Sequence, residues 1–303
     1  MQYALLLMTL AVAQPEPLGA GDHKRTLTVD DLKRTHLVHV PAKYDAKKAT
    51  PVVLVLHGAM MDAKLMEGFA GLNETADKHN FIAVYPNGTG PGGIFQTWNA
   101  GLFPGDLGKN KPDDVKYLGK VLDDVEGVLT VDRKRVYVTG MSNGGMMSYR
   151  VAAEMSDRIA AIAPVAGTLA LEKYEPKRPV PVVHFHGTKD TLVPFNGPAI
   201  KKDSPALLKF RSVEDTIKAC LKANGCDEKV TETEIEMKAD KIKVTRKDYG
   251  KGKNNSEVVL YVIESGGHTW PGMSFNLGVL GACTNNISAN EVMWEFFGRH
   301  SLK

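Results

Sequence analysis

The sequence predicts an α/β fold with a mostly parallel central sheet and helices on both faces, and three observations carry that prediction. Aliphatic and β-branched runs alternate along the chain with segments of helical period. Two of those runs, Pro51-Val-Val-Leu-Val-Leu56 and Phe81-Ile-Ala-Val-Tyr85, lack the polar alternation of a half-exposed strand, as expected of strands covered on both faces. In Arg135-Val-Tyr-Val-Thr-Gly-Met-Ser142-Asn-Gly-Gly-Met-Met147 a strand-like run stops at Gly140 and a helix-compatible run begins after Gly144, with a serine at the tip of the turn.

Taken in order, residues 35–40 alternate like an early half-buried strand, 51–56 form a central one, and helical periodicity runs over about 62–79. The strand 81–85 ends at Pro86-Asn87-Gly88, and a glycine-rich stretch from Gly90 to about Lys111 is too long for a minimal connection, which makes it a candidate substrate loop. Pro112 precedes a helix over 113–130 whose Val115, Leu118, Val121, Leu122, Val125 and Leu129 share one face. Strands follow at 159–165 and 180–186, a helix at about 212–223, strands near 241–249 and at 257–263, and a last helix over 288–300.

With 303 residues, 43% of them hydrophobic, and no second block of composition, the chain suits one large domain with ample length for a buried core. The net charge of +3 arises from interspersed lysines and acids, so neither a nucleic acid nor a membrane surface is indicated as a partner; the oligomeric state is not legible. Residues 1–13 have the length of a signal-peptide apolar region and end in Ala11-Val12-Ala13, a small-x-small cleavage site, which leaves 14–303 as the mature domain and a secreted or periplasmic location. The run is too short to span a bilayer and has no Lys or Arg ahead of it, so a buried first helix is the other reading; no cysteine sits near Ala13 to carry a lipid anchor. Cys220, Cys226 and Cys283 permit at most one disulfide without selecting the pair, and none has metal-site spacing.

The turn at Ser142 has the spacing of a nucleophile elbow. Glycines two before and two after the serine allow a sharp turn that lifts the hydroxyl out at a helix N-terminus, where backbone amides can stabilise an oxyanion. That is chemistry for an ester or amide hydrolase. A base and an orienting acid should then follow in the order serine, acid, histidine, each on a loop at the end of a strand. Asp190 lies just beyond the strand 180–186, and His268 just beyond the strand 257–263; the other later histidine, His300, belongs to the terminal helix. His184 and His186 alternate on their strand without a third ligand in sight, which favours packing or support over metal binding. The expected oxyanion donors are the amides of Asn143 and Ala59, with His57 supporting the loop of Ala59. Trp98 and Trp270, on loops beside this site, are weighed equally as substrate-stacking surfaces and as packed aromatics.

Together, Leu56-His57-Gly58, Trp98-Asn-Ala-Gly101, Asp113-Asp114-Val115, Gly140-Met-Ser142-Asn-Gly-Gly-Met146, His186-Gly-Thr-Lys-Asp190-Thr-Leu-Val-Pro194, Gly266-Gly-His268-Thr-Trp270-Pro-Gly272 and Ile287-Ser-Ala-Asn-Glu-Val-Met-Trp294-Glu-Phe-Phe297 resemble the secreted esterase family that contains feruloyl esterases and polyhydroxybutyrate depolymerases. The resemblance covers about 37–300 and implies an α/β-hydrolase fold, no metal or organic cofactor, and ester cleavage through an acyl-enzyme, with Ser142, Asp190 and His268 on the family's triad positions. Many members carry adjacent cysteines after Asn-Ala-Gly, where this chain reads Leu102-Phe103-Pro104-Gly105, and the extra substrate-binding domain of many polymer depolymerases is not present in this sequence. Those departures favour feruloyl or acetyl esters on plant polysaccharide, or small soluble esters, over a solid polyester. The alternatives are a polyester depolymerase, a peptidase or amidase on the same fold, and a non-catalytic binding protein that keeps the fold.

Overall fold

The structure, a computed structural model, describes residues 16–102, 112–198, 209–273 and 278–303. The expected signal segment 1–13 and most of the second half of the expected substrate loop, 103–111, lie outside the described residues. Central strands β3 (Thr50–Leu56), β4 (Ile82–Pro86), β6 (Ala161–Val165), β7 (Val182–Gly187) and β10 (Val258–Ile263) are buried at every residue. With β5 (Val131–Met141) they pair in parallel in the order β4-β3-β5-β6-β7-β10.

The edges differ. β1 (Gly21–Val29) and β2 (Leu32–Val40) add antiparallel beyond β4, and β9 (Val244–Tyr249) and β8 (Val230–Ile235) add antiparallel beyond β10. β1 and β8 are charged, largely exposed strands with no buried face for the sequence to advertise, and they were not expected.

Alternation along β3 sends Val52, Leu54 and Leu56 to one face of the sheet and Val53 and Val55 to the other. Helices α3 (Asp114–Val128), α4 (Asn143–Glu154) and α5 (Val213–Asn224) cover the first face; α1 (Ala63–Ala70), α2 (Leu72–His79) and α6 (Ala289–Phe297) cover the second. The single helix expected over 62–79 is two. Gly71 takes a left-handed conformation (φ 59°) that caps α1 and starts α2 in a new direction, while apolar residues continue across the break and hide it from a periodicity count. α3 starts as its sequence suggests, with Asp113 accepting a hydrogen bond from the Lys116 amide at 3.0 Å. Cys220, Cys226 and Cys283 are all free thiols. Among the described residues no helix is long and apolar enough to cross a membrane.

Candidate active site

Ser142 sits between β5 and α4 with φ 56° and ψ −120°, a conformation that costs a non-glycine residue roughly 1–3 kcal/mol and persists only where its surroundings impose it. Here they do. Its amide donates to Val165 O on β6 at 2.9 Å, and its carbonyl accepts from Met146 N in the first turn of α4 at 2.9 Å. The helix also lies hard against the end of β3: a Cβ on Gly144 would fall 2.2 Å from Leu56 O, so only glycine fits there. Ser142 is partly exposed although its neighbours on both sides are buried, which leaves the hydroxyl at the surface of a rigid turn.

Asp190 and His268 meet across the adjoining parallel pair β7 and β10. His268 Nδ1 lies 2.7 Å from Asp190 Oδ2, and Asp190 Oδ1 accepts the amides of Leu192 and Val193 at 2.9 and 2.8 Å. The side chains are 0% and 5% exposed for Asp190 and His268, so the pair is screened little by water. The two loops are zipped together: Thr188 N donates to Ile263 O, Lys189 N to Gly266 O and Ser265 N to Thr188 Oγ1. Gly187 makes that approach possible, since a Cβ there would fall 2.3 Å from Gly266 O. His268 N donates to Leu280 O at 2.7 Å, which fixes the base from the other side. The structure thus joins Asp190 to His268, while among the hydrogen bonds of the described residues none connects Ser142 Oγ to His268 Nε2.

The loop of Ala59 lies beside the serine. A Cβ on Gly58 would stand 3.5 Å from Ser142 Cβ, and Met60 N is tied to Gln96 O at 2.8 Å. Among the described residues neither the Ala59 amide nor the Asn143 amide has a backbone acceptor, the latter because the first N–H groups of a helix lack one. His57 is structural. Gly88 N donates to its Nε2 at 2.9 Å, so the proton is on Nδ1 and goes to Gly58 O at 2.7 Å; burial lowers its pKa to about 4 and keeps it neutral.

Trp98 and Trp270 are 0% and 1% exposed, which corrects the reading of either as a free stacking surface. Trp98 is instead a clamp. Its indole Nε1 donates to His57 O at 2.9 Å, its amide donates to Asn143 Oδ1 at 2.6 Å, and its carbonyl accepts from Asn143 Nδ2 at 3.2 Å. Thr97 Oγ1 adds a bond to Asn143 Oδ1 at 2.8 Å. The next residue is held as firmly: Asn99 N donates to Asp114 Oδ2 at 2.6 Å, Arg150 donates to Asn99 O, and Asp114 is paired with buried Arg34 at 2.7 Å. Trp270 anchors the His268 loop through Nε1 to Asn290 on α6, whose amide reaches Ala70 O at the end of α1.

From the sequence, Asn143 is expected to contribute only its backbone amide. Its side chain is the second contribution, and the signal available was its place in a buried turn next to a loop whose own amides need partners. Among the described residues no group of three or more His, Cys, Asp or Glu side chains is arranged to hold a metal ion.

Comparison with known proteins agrees with this architecture. The prolyl oligopeptidase family profile matches residues 72–178, a segment that carries the serine turn but neither Asp190 nor His268. A putative esterase, NocK, of Nocardia uniformis subsp. tsuyamanensis is 33% identical over 286 residues, spanning 90% of this chain and 81% of that protein. Feruloyl esterase B of Piromyces equi is 32% identical over 199 residues, 64% of this chain but 36% of that longer protein. The acetyl xylan esterase structure from Aspergillus awamori superposes with a TM-score of 0.59 over 91% of this chain and 99% of that one; at 16% identity this speaks to the fold. The sheet order, the serine turn and the near-full-length likeness to an esterase lead to one assignment: the chain belongs to the α/β-hydrolase esterase family and is a serine carboxylic ester hydrolase.

Proposed function

We propose that the protein is exported and hydrolyses feruloyl or acetyl esters of plant polysaccharide through an acyl-enzyme formed on Ser142. The observation that carries the assignment of roles is the Asp190–His268 bond, with the second carboxylate oxygen already taken up by two backbone amides, at the same end of the sheet as the strained serine. His268 Nε2 takes the proton of Ser142 Oγ as that oxygen attacks the ester carbonyl carbon. The amides of Asn143 and Ala59 hold the resulting oxyanion, and Asp190 keeps the imidazole in the Nδ1–H form and stabilises its charged state. The C–O bond to the alcohol breaks and the alcohol leaves with the proton held by His268. A water, deprotonated by the same nitrogen, then attacks the acyl carbon and returns the acid and free Ser142.

The substrate class is supported by relatives named as a feruloyl esterase and, at 31% identity over 55% of this chain, as a bifunctional acetylxylan esterase/xylanase. The test is initial rates of the purified protein and of Ser142→Ala on methyl ferulate, short p-nitrophenyl esters, acetylated xylan and a hydroxybutyrate oligomer. Serine-dependent turnover concentrated on ferulate or acetylated xylan is expected. Preference for the oligomer would move the substrate to polyesters, and turnover retained by Ser142→Ala would remove the assignment of the nucleophile.

A further inference from the structure

Beneath the acid loop runs a chain of buried polar groups that the hydrolytic steps do not use. Tyr149 OH, on α4 seven residues beyond Ser142, is 2.8 Å from His184 Nδ1; His184 Nε2 is 3.1 Å from His186 Nδ1; His186 Nε2 is 2.8 Å from Val193 O and 3.5 Å from Asp190 Oδ2. His184 and His186 project from the same face of β7, stacked with ring centroids 5.3 Å apart, and both are buried, at 0% and 1% exposure.

The proton positions follow from the far end. Val193 O and Asp190 Oδ2 only accept, so His186 Nε2 must carry a hydrogen. Burial lowers the pKa of both rings, which makes them neutral, and a neutral ring with Nε2–H has a lone pair on Nδ1. That lone pair needs a donor, and His184 Nε2–H supplies it. His184 Nδ1 is then an acceptor in its turn, served by the Tyr149 hydroxyl. Every bond in the chain points the same way, towards the carboxylate that holds His268.

We propose that Tyr149, His184 and His186 are positioning residues for hydrolysis: a directed hydrogen-bond chain that locks the His186 tautomer, pins the return of the acid loop at Val193, and so keeps the Asp190 carboxylate aimed at His268 Nδ1. The alternative tautomer of His186 would set a lone pair against two oxygens and loosen the loop. Because α4 begins at the nucleophile, the chain also links the helix of Ser142 to the loop of Asp190.

The proposal rests on the roles given above to Asp190 and His268. Other titratable groups at the chain are Asp190 and His268 at one end and Tyr174 and Cys220 at the other, with Arg178 acting on Tyr174 and Arg211 on Cys220. Burial raises the pKa of Tyr149, Tyr174 and Cys220, which keeps all three protonated and uncharged. Histidine-selective 15N labelling of the intact enzyme reads the tautomers directly: His184 and His186 are expected as neutral Nε2–H rings between about pH 5.5 and 8.5, and an Nδ1–H or doubly protonated signal from either overturns the chain.

Kinetics test what it does. Tyr149→Phe is expected to lower kcat on p-nitrophenyl acetate about 3- to 10-fold with KM within about twofold, because a loosened acid loop aims the Asp190 carboxylate less well at His268. His184→Gln, which keeps a donor for His186, is expected to stay nearer the parent rate than His184→Leu, which does not. Parent-like kcat in Tyr149→Phe, or equal loss in the two His184 variants, overturns the positioning role. Ser142→Ala and Asp190→Asn are run beside them: activity surviving in those would indict the underlying triad, whereas their inactivity with normal Tyr149→Phe indicts the chain alone.

Discussion

Replacing Asn143 with alanine keeps the backbone amide proposed for the oxyanion and deletes only the clamp on Trp98, so it separates the two contributions of one residue. The residue is 3% exposed, and its side chain satisfies both the N–H and the C=O of Trp98. Leaving two buried backbone groups unpaired costs about 1–3 kcal/mol each, hence about 2–5 kcal/mol in all once some relaxation is allowed. For a domain of this size roughly 2–4 °C is lost per kcal/mol, which places the expected fall in Tm at about 5–15 °C. Turnover should fall on the order of 10-fold, below the 10²–10³ of a donor lost outright, because Trp98 also holds His57 O and through it the turn that carries the Ala59 amide.

Calorimetry and active-site-titrated rates on p-nitrophenyl acetate measure both effects. Asn143→Asp is the control: it can still accept from Thr97 Oγ1 and Trp98 N, so Tm should recover part of the way, while a negative charge beside the oxyanion lowers kcat further. A Tm within 2 °C of the parent in Asn143→Ala, with unchanged kcat, would refute the clamp.

Other outcomes follow from the same geometry. Asp190→Asn should lose about 10⁴ in kcat with little change in fold, as an amide supports the wrong imidazole tautomer; a loss below tenfold in a folded protein would remove Asp190 from its role. Trp98→Phe and Trp270→Phe should each lose turnover equally on aromatic and aliphatic esters, since both rings are buried; a selective loss on ferulate would restore a stacking role. His57 gives a pH signature. Its folded pKa of about 4 lies below the ordinary value of 6.5, so the unfolded chain binds more protons between them, and stability present above about pH 6.5 is lost as pH falls towards 4, by about 3 kcal/mol. Thermal melts of His57→Gln should show a flatter dependence over that window, and an unchanged slope would mean that His57 does not stay neutral in the fold.

The parts of this molecule that the sequence announces are those where one residue type is physically forced. Gly140 and Gly144 are dictated by backbone contact, the apolar runs of β3 and β4 by burial on both faces, and Asp190 and His268 by the ends of strands β7 and β10, which pair directly. What was hidden depends on partners distant in sequence. β1 reads as a charged segment because only its pairing with β2 makes it a strand, and β8 likewise needs β9. The turn at Gly71 is a backbone event within an unbroken apolar pattern. Trp98 lay on a glycine-rich loop, and nothing local said that Asn143, His57 and Asp114 would close over it. His184 and His186 looked alike on a strand; which way their protons point is set by Val193 O, a carbonyl seven residues beyond His186.

The segment after Trp98 is braced by Asp114, with Arg34 behind it, and by Arg150, and all three cysteines are free thiols. Its bracing is therefore charge, hydrogen bonding and the packing of Ala100 and Leu102 on the core, with no disulfide among them. A reducing agent has no bond to open in this bracing, so its integrity is indifferent to redox conditions. The vulnerability lies in charge instead: Asp114→Ala would remove the counter-charge of a buried guanidinium, and with it the anchor of Asn99, without touching any residue assigned to the chemistry.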